Sequence, residues 1–232
     1  KASVITNHDG ISSQTGNNMI EDQYLPFLSR VLTPQRLAHS LGAMQTMREL
    51  ASIYNLDIET AQTIGILHDA AKDLSPELQQ KMIREGNIPI RCEAEQNYVL
   101  YLHGPVSAYL IQRELGIDDE LILGAIATHC YFGDNPYLDD PYAWCLRFSD
   151  VLEPTRNWSS EPLLLEGVEG MRKAVFAGKM WEGALIMSQT LPRWNQAKGF
   201  PVHPNYFEIQ RRLAGRVNQA QRGGYYPPAF AR

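Results

Sequence analysis

The chain has 232 residues, 44% of them hydrophobic, which is enough to bury a sizeable core and excludes wholesale disorder. Its formal net charge of -5 argues against broad binding to nucleic acid or anionic membrane, although a local cluster of metal, lysine and arginine can still take a small polyanion. No apolar run approaches the roughly 20 residues needed to span a bilayer, and Cys92, Cys130 and Cys145 form neither a C-x-x-C pair nor a disulfide framework.

Wide cysteine spacing is simplest in a reducing compartment, so the expectation is a cytoplasmic protein with no removed leader. Residues 1 to about 20 are rich in Asn, Gly and Ser and read as a flexible arm. Thr33-Pro34 then starts a helix, a capping hydroxyl followed by proline in the first turn. Leu37, Leu41, Met44, Leu50 and Ala51 carry its apolar stripe to Tyr54. Asp57 caps the next helix, which runs through Ala61, Ile64, Ile66 and Leu67 into His68-Asp69.

Ser75-Pro76 repeats the capping device for a helix ending near Gly86. A helix from about Pro105 to Leu115 stops at Gly116, and another, capped by Asp118, carries Leu121, Ile122, Ala125 and Ile126 to His129. Gly133 to Asp140 is a loop. A helix from about Tyr142 to Leu152 is halted by Pro154, and further helices follow at roughly 162–177, 179–190 and 204–221. Gly223-Gly224 and Pro227-Pro228 end the chain irregularly. No alternating strand pattern or internal repeat appears, so the fold class is all-α: a flexible arm (1–20), a core domain (21–160) and a helical C-terminal extension (161–232) packed on or beside it.

The chemistry concentrates around His68-Asp69. A buried imidazole and carboxylate need a partner or a metal. Adjacent helical residues point about 100° apart, so the two side chains flank a cavity rather than share one point, and Asp69 can reach across it with two oxygens. Lys72, four residues after His68, lies on the same face and suits an anionic oxygen beside a metal. Arg36 and His39 are three apart on the first core helix and share a face. Asp150 stands in an apolar helix, Leu146-Arg147-Phe148-Ser149-Asp150-Val151-Leu152, where it needs a cation or donors. Taken with His103 and His129, this is a donor set for one or two divalent ions.

Bland readings stand beside these. A single helical histidine is ordinarily a hydrogen-bonded core residue. Lys72 alone would be a solvated charge at a helix end, and surface ion pairing accounts equally well for Arg36 and Arg156. His8-Asp9 repeats the dipeptide in a polar segment with no helix to position it. His203, between Pro201 and Pro204, reads as a loop or cap residue, and Cys130 as packing rather than ligation, because on a helix it faces away from His129. Tyr131, Phe132, Tyr137, Tyr142 and Trp144 could stack on a base, but core packing is the default.

Five segments in order resemble the HD superfamily of metal-dependent phosphohydrolases, and most closely its bacterial YqeK-like branch of symmetrical diadenosine-tetraphosphate hydrolases. They are Arg36-Leu37-Ala38-His39-Ser40-Leu41-Gly42, Gly65-Ile66-Leu67-His68-Asp69-Ala70-Ala71-Lys72-Asp73, Leu102-His103-Gly104-Pro105-Val106-Ser107-Ala108, Ala127-Thr128-His129 and Ser149-Asp150-Val151-Leu152-Glu153-Pro154-Thr155-Arg156. The resemblance implies a helical HD bundle holding two divalent transition-metal ions, iron in that branch, with manganese, zinc or nickel as alternatives. His39, His68 and Asp150 would hold one ion, His103 and His129 the other, and Asp69 would bridge them. Metal-activated water would then split a dinucleoside tetraphosphate at its central phosphate bridge into two nucleoside diphosphates. Asp69 and Lys72 would serve catalysis, and Lys72, Arg36 and Arg156 would bind the substrate phosphates.

The resemblance weakens in two places. After His129 the branch would have a short polar step, whereas this chain has Cys130-Tyr131-Phe132-Gly133-Asp134, so the nucleotide is open. Residues beyond about 157 have no recognised counterpart in the branch, and Arg193, Arg211, Arg212, Arg216 and Arg222 there could pair with acidic surface, contact a partner or cover the site. Two alternatives therefore remain: an HD nucleotidase or phosphodiesterase with another small nucleotide, or a regulatory nucleotide-binding module with little turnover. A small nucleotide is the expected partner, with neither nucleic acid nor membrane. Oligomeric state, a homodimer included, stays open.

Overall fold

Most helices of the central part begin where a short polar side chain can close the first turn. In the computed structural model, which describes residues 12–130, 137 and 139–221, Thr33 caps α2 (Pro34–Tyr54) by accepting from Arg36 N, and Asp57 caps α3 (Ile58–Leu67) by accepting from Thr60 N. Ser75 does the same for α4 (Pro76–Glu85). The cap of α7 (Glu120–Ala127) is Asp119 rather than Asp118: its carboxylate reaches the amides of Leu121 and Ile122. Asp140 caps α8 (Pro141–Leu152) by accepting from Ala143 N.

Other elements differ from expectation for tertiary reasons. The helix α1 (Ser12–Val31) takes in residues 12–20, which the polar composition placed in an arm. Ile20, Tyr24, Phe27 and Leu28 are buried, anchoring α1 against α2 and α3, and further turns then cost only propagation. Residues 92–102, assigned to no element above, form a short helix α5 (Glu93–Asn97) and a 3-10 turn (Val99–Leu102) leading directly into α6 (His103–Leu115). The helix α9 spans Pro162–Phe176, and α10 (Met180–Ala197) continues past the expected stop, through Pro192. Proline removes the amide that would bond to the carbonyl of Ser188, and that carbonyl instead accepts from Gln210 Nε2 of α11 (Asn205–Gln221) at 2.5 Å. His8-Asp9, Tyr131, Phe132, Arg222 and the C-terminal Gly and Pro pairs lie outside the described residues.

No strand occurs among the described residues. The helix α2 is central, packed on α3 along one side and on α8 along the other, while α6 and α7 pair and α7 closes on α3 and α8. Gly65 permits the α2–α3 approach: a Cβ there would lie 2.8 Å from Cα of Met44. Buried Met47, Leu50, Ile64, Leu67, Leu102, Ile111, Trp144 and Phe148 form the core, which continues without a break into Val168, Met171, Val175 and Leu213 of the C-terminal helices. Trp144 is thus a core residue, and the Tyr142 hydroxyl accepts from the Asp57 amide at 2.8 Å, so neither is offered to a base.

The extension is tied down by polar contacts as well. The Tyr101 hydroxyl donates to Pro201 O at 2.7 Å and accepts from Asn195 Nδ2 and the His203 amide. Arg212 and Arg216 both pair with Asp139, just before α8, and Arg211 pairs with Glu208 of its own helix. His203 receives the Asn205 amide at the start of α11, as a cap would, but it is also buried against Glu95 at 3.1 Å.

Candidate metal centre

Three of the four clustered histidines stand just where a helix begins or ends, and each donates its Nδ1–H to a carbonyl three residues back. His68 bonds Gly65 O at 2.8 Å, His129 bonds Ile126 O at 2.7 Å, and His103 bonds Leu100 O. His39 lies within α2, where carbonyls are already used, and its Nδ1 donates to Glu153 Oε1 at 3.0 Å. With Nδ1 spent on a protein acceptor, a neutral ring presents Nε2 as a bare lone pair, the tautomer that binds metal.

All four Nε2 atoms converge on Asp69. His39 and His68 Nε2 are 3.2 Å apart, and each is 3.6 Å from Asp69 Oδ2. On the other oxygen, His103 and His129 Nε2 are 2.9 Å apart and lie 3.0 and 3.6 Å from Asp69 Oδ1. Asp150 Oδ1 joins the first pair, 3.1 Å from His39 and 3.9 Å from His68. Lone pairs so close in a buried place need a cation between them. Asp69 Oδ1 is itself buried and accepts no hydrogen bond. The donor set therefore fits divalent metal, with one pocket on each oxygen of Asp69.

The electrostatics call for positive charge here: burial opposes charge on His39 and His129, yet Asp150 and Glu153 raise the first and Cys130 and Asp69 raise the second to about 10. At His68 burial prevails and holds the pKa down to about 3, so this ring is a neutral donor near pH 7. Burial alone would raise the carboxyl of Asp69, yet Lys72 and the imidazoles hold it well below the ordinary carboxylate range. Burial likewise opposes Asp150, and His39 and Arg156 overcome it.

Arg36, Lys72 and Arg156 ring the pockets. Arg36 Nη1 lies 3.1 Å from Asp69 Oδ2, Lys72 Nζ lies 2.9 Å from His103 Nε2, and Arg156 Nη2 donates to Asp150 Oδ1 at 2.7 Å. All nine residues singled out from the sequence are thus brought together, and none of the three cations is merely a surface ion pair. The turn after His68-Asp69 is locked too: Asp73 accepts from both the amide and the hydroxyl of Thr33, and Ser107 Oγ accepts from the Ala71 amide.

Two residues here were given no role from the sequence, and a third was misjudged. Glu153 orients His39 and is itself held by Thr155 N and Oγ1; the Glu-Pro-Thr run after Asp150 was the only signal for it. Arg147, buried within α8, donates to Thr128 O at 3.0 Å and fixes the backbone beside His129. Cys130, expected to face away from His129, has its Sγ 3.2 Å from His103 Nε2 and 3.5 Å from His129 Nε2. The reason is that α7 ends at Ala127, so helical angles no longer apply at residue 130.

Comparison with known proteins agrees with this geometry. Residues 36–155 match the family model described as HD domain. The chain is 37% identical to the symmetrical bis(5'-nucleosyl)-tetraphosphatase of Bacillus subtilis over 82% of this chain and 95% of that protein. Identity to the protein of the same name in Halalkalibacterium halodurans is 32%, over 78% and 90%. A Clostridium acetobutylicum crystal structure, titled a predicted HD superfamily hydrolase involved in NAD metabolism, superposes with a TM-score of 0.73 at 29% identity, covering 84% of this chain and 97% of that one.

Proposed function

The chain belongs to the HD-domain family and is a metal-dependent phosphohydrolase; from that premise we propose that it cleaves diadenosine tetraphosphate or a close dinucleoside polyphosphate at the central phosphate bridge, releasing two nucleoside diphosphates. The observation that carries this reading is the division of Asp69, whose two buried oxygens each face a separate histidine pair. In this reading His39, His68 and Asp150 hold one divalent ion, His103 and His129 hold a second, and Asp69 bridges. Iron is the first candidate, and manganese, zinc and nickel suit the same ligands. When bound, such ions lower the pKa of water and polarise phosphoryl oxygens.

The chain's own side chains do the rest. Lys72, Arg36 and Arg156 carry positive charge at the rim of the pockets, where phosphate oxygens gain negative charge as the bridge breaks. Arg156 is preset by Asp150 and lies over the Trp158 ring, 5.4 Å from its centroid. Glu153 fixes the His39 ring, and no serine or cysteine nucleophile is required. Residues 21–160 form the catalytic unit of this proposal, and of the extension 161–232 the described residues 161–221 brace it.

Chelator-stripped protein reloaded with iron(II) or manganese(II) should consume diadenosine tetraphosphate and leave mononucleotides intact. Nucleotide that binds but is not consumed with any of the four metals would refute the proposal in favour of a regulatory module.

A further inference from the structure

Among the described residues, Cys130 is a metal-binding side chain at the centre that the six-ligand reading leaves unused. Its Sγ lies 3.2 Å from Nε2 of His103 and 3.5 Å from Nε2 of His129. Those two nitrogens are 2.9 Å apart, and Asp69 Oδ1 completes the group at 3.0 and 3.6 Å from them. A tetrahedral site with metal bonds of 2.0–2.3 Å sets its donor atoms about 3.3–3.8 Å apart; the spacings of 3.5 and 3.6 Å fall in that range and those of 2.9, 3.0 and 3.2 Å are shorter, so the donors would part by a few tenths of an ångström around a single ion. Room for the thiol is built in: a Cβ on Gly104 would come within 2.9 Å of Cys130 Sγ. The buried Asp69 Oδ1, without a hydrogen bond, is independent evidence that this pocket is made for a ligand.

We propose that Cys130 is a ligand of the metal held by His103 and His129, giving that pocket two nitrogens, one oxygen and one sulfur while the pocket of His39, His68 and Asp150 has only nitrogen and oxygen. The proposal rests on the metal-centre reading above. On binding, the thiol loses its proton to solvent and the thiolate donates its lone pair to the ion. The two pockets thereby differ in softness, and the sulfur-bearing one favours thiophilic ions over magnesium or calcium.

Cobalt(II) loading of the whole chain tests this. The unmodified protein should show visible d–d bands from its histidine and carboxylate ligands and, in addition, a near-ultraviolet sulfur-to-cobalt charge-transfer band. Cys130→Ser should lose the near-ultraviolet band and keep the visible ones. Cys92 lies near Glu95 and His203 in a separate place, so Cys92→Ser serves as control and should keep both. Visible bands without the charge-transfer band, or a band lost in Cys92→Ser and kept in Cys130→Ser, would overturn the thiolate ligand while leaving the metal centre standing. No cobalt bands at all would overturn both.

Discussion

His39, His68, His103 and His129 each commit one ring nitrogen to a protein acceptor, and in the proposed reading that commitment makes them ligands rather than core histidines. Glu153 is the one charged acceptor among the four, and Glu153→Gln keeps its shape while removing its charge. Metal affinity should fall about 10–100-fold, read by competition with a chromogenic chelator; unchanged affinity would show that His39 needs no anionic support. Asp69→Ala should lower the metal content by elemental analysis to at most one ion per chain and cut turnover by at least about 100-fold. Two ions retained in that variant would end the bridging role. The ligands were legible in the sequence because histidine and aspartate are expensive in apolar helices. Glu153 was not, since its value depends on a contact with a residue 114 positions away. The direction of Cys130 was misjudged because the helix before it stops at Ala127, two residues early.

Helix starts were the most legible elements, since capping is local chemistry: Thr33, Asp57 and Ser75 act where their positions before Pro34, Ile58 and Pro76 say they should. Asp57→Ala should cost about 1 kcal/mol, lowering the melting temperature, whereas Asp57→Asn should leave it nearly unchanged at neutral pH. An equal loss in both would mean the carboxylate acts by its charge and not as a cap. Gly65→Ala sets a backbone-to-backbone clash between α2 and α3, so it should cost about 1–3 kcal/mol and also reduce metal uptake, because α3 carries His68 at its end. Long-range support was not legible. Nothing in the local pattern around Pro192 tells that Gln210 will satisfy the carbonyl it frees, and so α10 was expected to stop short.

The whole molecule reads as one cooperative unit, because the apolar core of α2, α3, α6 and α8 runs on into α9, α10 and α11. The sequence told that these last segments are helical but not what they cover, since docking depends on pairs such as Tyr101 with Pro201 and Asp139 with Arg216. Tyr101→Phe removes the hydrogen bonds to Pro201 O, Asn195 Nδ2 and the His203 amide and should cost about 1–3 kcal/mol by urea denaturation, in a single transition. Two separated transitions would mean that the extension unfolds independently. Across these scales the structure serves one end, the placing of two histidine pairs on the two oxygens of Asp69 beneath three cationic side chains. The most direct measurement is product identity when metal-loaded protein meets diadenosine tetraphosphate. Two ADP per substrate, with neither AMP nor ATP, is the predicted result; AMP together with ATP, or intact substrate, would contradict it.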